Sequence, residues 1–597
     1  MRLKIIITLF ILIWIALLVR VFFLAIKSNE HYERLSYANS TKTELIAPVR
    51  GEIFDIKGRP IAINELGFKV QLAPHLESRS PKSKLDEEID FIVEHLPDLD
   101  REKMKKNYLK TNSYYNHKFI DVVDFVPYET IMPLYSRLNL NENVHLELSP
   151  KRYYPYAKTA AHTLGYVAKS SVEDLVRDPD DELTGYSGKL GIEKQYNSYL
   201  RGEAGLREIK VNAKNQTIEE IGFVTPKEDA TLTLGIDIEL QSYISSLFEG
   251  KAGAVVVMDV NGTILSAGSY PEYDLNSFVN GMPQAMWDKL SNSLDKPFTN
   301  KVTNGLYPPG STIKTGLGLI AYTSKEVGSN FSVVCTSNLP VGGRVFRCWK
   351  GGGHGFVDLK RAIRESCDDY FYKASIKLGN EKMASELMRY GLGVKTGIDL
   401  PSEFVGTVPS REWKRQKYNK AWYIGETINT SIGQGDFLST PLQLTTFTAL
   451  MATGKLPKPH FAKFLGEDLV EDELYDVLSS DEKKHLPLIQ KAMYEVCNSP
   501  SGTAHRYLNT KVKIAGKTGT AQVVGIKQNI KVRDLEHEME YYTRSHAWFN
   551  SYGPYKNPRY AVTVLVEHGG HGGVATGEIV SKIYNKLVDL GYLTADD

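Results

Sequence analysis

Ser311 and Lys314 stand three residues apart in PPGSTIKTGLGLIAY, residues 308–322. Proline and glycine punctuate the start and an apolar helical run follows, so both side chains fall in the first turn of a buried helix, on one face. A neutral lysine amine there can take the proton of a serine hydroxyl and so make a nucleophile. For that, an amine whose ordinary pKa is ~10.4 must be lowered by desolvation or by a neighbouring cation. The pair alone is weak, because Ser293/Lys296 and Ser480/Lys483 repeat the spacing without the turn or the apolar helix.

A strand lysine and threonine would complete such a site by holding a substrate carboxylate. Lys-Thr-Gly occurs three times: Lys314-Thr315-Gly316 shares the helix lysine, Lys395-Thr396-Gly397 reads as a helix exit and loop, and KVKIAGKTGTAQVVGI alternates as a strand. That third stretch makes Lys517, Thr518, Gly519 and Thr520 the candidates. Between the two motifs lies Ser366-Cys367-Asp368, a serine with a polar residue two positions on. By itself a helix-capping serine and a solvated aspartate would account for it.

Cys367 belongs to a second pattern, Cys335-x12-Cys348-x5-His354-x12-Cys367. Three thiols and an imidazole suit tetrahedral zinc, although the tight knuckle of common zinc modules is missing. A Cys335–Cys348 disulfide and buried free thiols are the alternatives. If the segment is extended, Cys367 points away from Ser366 and Asp368. Cys497, in MYEVCNSP, reads as a core residue.

The 597-residue chain suggests three or four units, and a net charge of +1 provides no field that would attract nucleic acid. Residues 1–4 carry Arg2 and Lys4, and 5–26 are apolar apart from Arg20. About 22 residues suffice for one membrane crossing. No small-residue cleavage site follows, which favours an uncleaved anchor over a signal peptide. The basic N-terminus is then cytoplasmic and the rest exported. Residues 27–47 read as a polar stalk and 48–235 as a pedestal, with a helical head over about 80–150 where Leu85, Ile89, Ile92, Val93 and Leu96 keep helical spacing. From 236 to 597 the pattern changes. AGAVVVMDV and TILSAGS flank Asn261-Gly262, which predicts a type I′ hairpin, and SHAWFNSYG and RYAVTVLVEHG form another near the end. With helical stretches between them, the expected class is α+β, an antiparallel sheet flanked by helices.

Ser311-x-x-Lys314, Ser366-x-Asp368 and Lys517-Thr518-Gly519, in this order and spacing, resemble the motifs of the penicillin-binding transpeptidases. Nearly the whole chain resembles their class B. Arg50-Gly51-x-Ile53-x-Asp55-x-x-Gly58, RYYPYAKTAAHTLGYV (152–167) and GKLGIEKQYNSYLRGEAG (188–205) are similar to the three pedestal motifs of that class, and NTSIGQG (429–435) and SHAWFNSYGP (545–554) to its cleft-flanking segments. An aspartate at position 368, where septal enzymes have asparagine, resembles the cell-elongation branch, penicillin-binding protein 2.

The resemblance implies a D,D-transpeptidase that crosslinks peptidoglycan stem peptides through a Ser311 acyl-enzyme, with release of D-alanine, and that β-lactams acylate. It implies Lys314 as base, Ser366 as proton shuttle, Asp368 as their orienting partner, Lys517 and Thr518 on the substrate carboxylate, and an oxyanion hole of the Ser311 and Thr520 N–H groups. Some elongation-type members hold zinc in the loop before the middle motif, through carboxylate, histidine and cysteine ligands. By correspondence, Cys335, Cys348, His354 and Cys367 would hold a structural zinc, with no cofactor for catalysis. The implied partners are a membrane-embedded glycosyltransferase and elongation scaffold proteins, and the implied location is the inner membrane with the C-terminal domains in the periplasm. A non-catalytic or dual-role scaffold and a β-lactamase-like hydrolase are the alternatives.

Overall fold

The computed structural model describes residues 2–27, 29–77, 84–116, 118–212, 217–227, 230–524 and 536–595. A long apolar run, interrupted by Arg20, makes the helix Arg2–Phe22, continued by a wider turn over Phe23–Lys27, with no side chain buried. Among the described residues this is the one helix long and apolar enough to cross a membrane.

The chain divides into two compact units. The first joins 1–51, 170–186 and 201–230. The segment expected to be a stalk is ordered within it: Asn29–Ser40 is a helix, and Thr41–Ile46 pairs antiparallel with Gly205–Val211, which pairs in turn with Thr217–Val224. Polar composition suggested a loose tether. Alternation of half-buried and exposed residues along TKTELI instead suits an outer strand of a small sheet.

The second unit holds 52–169, 187–200 and 231–597. Its long strand Pro60–Leu72 pairs with Ile53–Phe54, Ile120–Pro127 and Val144–Tyr153. The turn before it is made by Asp55, whose Oδ1 accepts the N–H groups of Lys57 (3.0 Å) and Arg59 (2.8 Å). The head is helical over Lys84–His95 and Arg101–Thr111 and again in short turns over Tyr128–Asn139, while the alternating sequence on either side of those turns makes the strands Ile120–Pro127 and Val144–Tyr153. Leu85, Ile89 and Ile92 are fully buried in its own small core. The second and third pedestal motifs meet through a buried ion pair, Arg152 Nε to Glu193 Oε1 at 2.7 Å.

Most of the main core lies around a five-stranded antiparallel sheet in the order Ile264–Tyr270, Gly253–Asp259, Tyr560–Val566, His546–Gly553, Ala515–Ala521. On the strand His546–Gly553, Ser551 and Gly553 meet Tyr584 of the C-terminal helix Gly572–Asp589. Alternate residues face the other way, where Asn550 lies opposite Lys517 in register. The helix Pro441–Thr453 also packs on the strands of this sheet, so the sheet is flanked by helices, as expected. The first hairpin is not type I′. Asn261 keeps a negative φ, Gly262 takes +122° after a turn closed by its own N–H to Asp259 O, and the ladder shifts between Val257 and Met258. Asn261 N–H is instead drawn to Asp259 Oδ1 at 2.7 Å, a local bond that favours the ordinary turn.

Candidate active site

Ser311 sits in a tight turn, Gly310–Ile313, and Lys314 opens the helix Lys314–Thr323 directly after it. Side chains three apart eclipse in such a turn, so the two share a face. Gly310 holds φ +57° and donates to Gly433 O at 2.9 Å. A Cβ on Gly310 would lie 2.9 Å from Thr520 O, so glycine is what lets the turn press against the strand Ala515–Ala521.

Four predicted residues converge beside that turn. Fully buried Lys314 places Nζ 2.6 Å from Asp368 Oδ1, 3.1 Å from Ser366 O and 3.3 Å from Ser366 Oγ. Lys517 Nζ lies 3.0 Å from the same hydroxyl and donates to Thr518 O at 2.9 Å. Burial raises the Asp368 carboxyl above its ordinary value, although Lys314 opposes this. Burial first, and then the Lys314 charge, push Lys517 well below the ordinary lysine range. In such a low-dielectric site one hydroxyl within reach of two amines can carry a proton between them. Thr518 Oγ1 is bonded to Thr503 Oγ1 at 2.8 Å, Thr520 Oγ1 accepts from Gly572 N at 3.2 Å, and Gly519 lies between them on the strand.

The middle motif is a turn, not the extended segment expected. Ser366 has φ +55°, Cys367 caps the helix Asp368–Leu378, and Cys367 N–H closes back to Ala362 O. The left-handed residue, strained by about 1–2 kcal/mol for an L side chain, is what separates Cys367 from its neighbours. Of the other Lys-Thr-Gly copies, Lys395-Thr396-Gly397 is a loop closed on Glu403, as read from the sequence.

Cys367 does meet Cys335, Cys348 and His354. All four are buried, with one donor atom each within 4.8 Å of the others, and all four cysteines of the chain are unbridged. The strand Val333–Cys335 pairs with Gly355–Val357, and Asn338–Val341 pairs with Arg344–Arg347 across Gly342 and Gly343, both at positive φ. This hairpin is where the type I′ turn occurs.

Sequence reasoning missed two contributors. Trp349 N–H donates to Asp368 Oδ2 at 2.9 Å, and its indole N–H to Glu365 O and Ser366 O at 3.1 and 3.0 Å. Gln434 Nε2 donates to Thr520 O at 3.1 Å. Adjacency to Cys348 was the available signal for Trp349, and membership of NTSIGQG for Gln434.

Residues 253–585 match the penicillin-binding protein transpeptidase domain, and 45–234 the penicillin-binding protein dimerisation domain. The chain belongs to the penicillin-binding transpeptidase family. A peptidoglycan D,D-transpeptidase MrdA of Haemophilus influenzae is 33% identical, over 95% of this chain and 88% of that protein. The penicillin-binding protein PBP2 of Helicobacter pylori, solved in complex with MreC, is 43% identical with a TM-score of 0.85, covering 93% of this chain and 99% of that one. A chain of a peptidoglycan synthase complex, described as coordinating polymerization and crosslinking, is 26% identical with a TM-score of 0.71, covering 98% of this chain and 97% of that one. In this penicillin-binding transpeptidase, Lys314, Ser366, Asp368 and Lys517, drawn from all three motifs, are bonded to one another beside Ser311.

Proposed function

We propose that this protein is a serine D,D-transpeptidase that crosslinks peptidoglycan stem peptides during lateral wall elongation. The observation that carries the reading is the bonded cluster of Lys314, Ser366, Asp368 and Lys517 beside the Ser311 turn. With its own proton passed to Asp368, whose carboxyl burial raises, neutral Lys314 takes the proton of Ser311 Oγ as the hydroxyl attacks the carbonyl of the penultimate D-alanine. The C–N bond to the terminal D-alanine breaks, and its amine leaves with a proton relayed through Ser366. An amine of a second stem then attacks the ester, forming the crosslinking amide and returning the proton to Ser311. Lys517 and Thr518 hold the terminal carboxylate, and the N–H groups of Ser311 and Thr520 bind the oxyanion, a type of contact worth about 3–4 kcal/mol per donor. A fluorescent penicillin should label the wild type and leave Ser311→Ala unlabelled; an unlabelled wild type would overturn the reading.

The MreC complex and the synthase complex of the relatives support a place in an elongation assembly. There a membrane-embedded glycosyltransferase supplies the strands that this protein joins, and scaffold proteins bind the pedestal. The basic residues Arg2 and Lys4 before the apolar helix support a cytoplasmic N-terminus and a periplasmic remainder.

Cys335, Cys348, His354 and Cys367 fit a structural zinc. His354 Nδ1 lies 3.6 Å from Cys335 Sγ and 3.5 Å from Cys348 Sγ. A tetrahedron with Zn–S and Zn–N bonds of ordinary length has an S to N edge of about 3.6 Å. The Cys367 thiol holds Cys348 below the ordinary thiol range while Cys348 in turn pushes Cys367 up, so the two sulfurs share one proton that a metal would displace. Four protein ligands leave no open position, so the ion would clamp the loop to the Ser366 turn and take no part in the chemistry.

A further inference from the structure

Behind the catalytic turn lies an ionic cluster that the acyl-transfer reading does not use. Lys301 is 2% exposed, and its Nζ bonds Glu567 Oε2 at 2.6 Å and Tyr270 O at 2.8 Å. The other carboxylate oxygen of Glu567 accepts the hydroxyl of Tyr307, four residues before Ser311. Glu567 follows the strand Tyr560–Val566 directly, and its own N–H is bonded to Ala252 O at 2.9 Å, so the carboxylate is fixed to the central sheet. Tyr307 is tied on its backbone to Ser439, with N–H to O distances of 3.1 and 2.9 Å. Its ring stands edge-on to Trp548, whose indole N–H donates to Pro308 O at 3.1 Å.

We propose that Glu567 is a positioning residue for Ser311, acting through Tyr307: its carboxylate, held by Lys301, pins the start of the catalytic turn to the end of the central sheet. Glu567 and Trp548 tie Tyr307 and Pro308 to the sheet, Ser439 holds Tyr307 from outside it, and the turn itself is held to the strand Ala515–Ala521 by the close approach of Gly310 to Thr520. Strand and turn must keep one spacing, because the oxyanion donors at Ser311 and Thr520 lie on opposite sides of it. Burial makes the Lys301–Glu567 pair costly unless both partners stay bonded, which restricts the carboxylate to one orientation. This rests on Ser311 being the acylated residue.

The test is stopped-flow acylation by a penicillin, which separates the initial binding constant from the first-order acylation constant. Tyr307→Phe removes one hydroxyl and leaves the ion pair intact. It should slow acylation about 10-fold or more, as a small misplacement of a reacting group does, while initial binding stays at the wild-type value. Glu567→Gln should do the same, and the double variant should lose no more than the worse single one. Wild-type acylation constants in Tyr307→Phe, or losses that multiply in the double variant, would overturn the proposal and leave Ser311 as nucleophile untouched. Failure of the wild type to acylate would overturn the reading beneath it as well.

Discussion

The Ser366 hydroxyl lies between two amines, 3.3 Å from Lys314 Nζ and 3.0 Å from Lys517 Nζ. Its left-handed backbone turns the side chain inward while Cys367 turns to the thiol cluster, so one strained residue serves both sites. Ser311, Lys314 and Lys517 could be picked from residue type and context, since each sits where local pattern is informative. Trp349 is marked only by its adjacency to Cys348, which does not say that its N–H groups bind Asp368 and Ser366. A different residue makes a pH prediction. His162 donates from Nε2 to Pro297 O at 2.6 Å, its Nδ1 is buried with no partner among the described residues, and burial lowers its pKa to about 4. Unfolded, it takes a proton near pH 6.5; folded, it does so only near pH 4. The folded state thus binds fewer protons across that window, and stability falls as pH drops through it, by up to about 3 kcal/mol. Tm measured from pH 7 to 4.5 should fall less steeply in His162→Gln than in the wild type.

Among elements, the loop that carries Cys335, Cys348 and His354 is the least predictable and the most consequential. Its 12-residue spacings look unlike a metal knuckle in sequence. Two short antiparallel ladders fold them back, and the Gly342-Gly343 turn sets their register. Trp349 then passes the position of Cys348 to Asp368, and so to Lys314. The zinc proposal gives a direct expectation: purified protein should contain about one zinc per chain by elemental analysis. Cys348→Ser should lose the ion, lower Tm and slow penicillin acylation. A metal-free preparation with full activity and stability would remove the clamp from the account. Local chemistry also explains the hairpins. Asn-Gly at 261–262 predicted a type I′ turn, but the Asp259 side chain captures Asn261 N–H and the ordinary turn wins.

For the whole molecule, the exposed apolar helix Arg2–Lys27 sets where the protein can work. About 25 cal/mol is gained per Å² of apolar surface withdrawn from water, and no described side chain of that helix is withdrawn within the chain itself. The full chain should therefore sediment with membranes and resist extraction by high salt. Deleting residues 1–27 should release it in soluble form while keeping penicillin labelling. Salt-extractable full-length protein would contradict the anchor.

Composition and periodicity by themselves determined the anchor, the buried helix after Ser311, the strand around Lys517 and the α+β class, because each depends on neighbours within a turn or a strand. Family resemblance in the motifs extended this to the transpeptidase reading. Only the tertiary structure decided that Lys314 and Lys517, about 200 residues apart, share one serine hydroxyl, that four dispersed thiol and imidazole groups meet, and that Glu567 reaches Tyr307. The reason is physical. Local propensity is written in short-range pattern, whereas the pairing of buried polar groups depends on which elements pack together, and burial makes each of those groups find a partner.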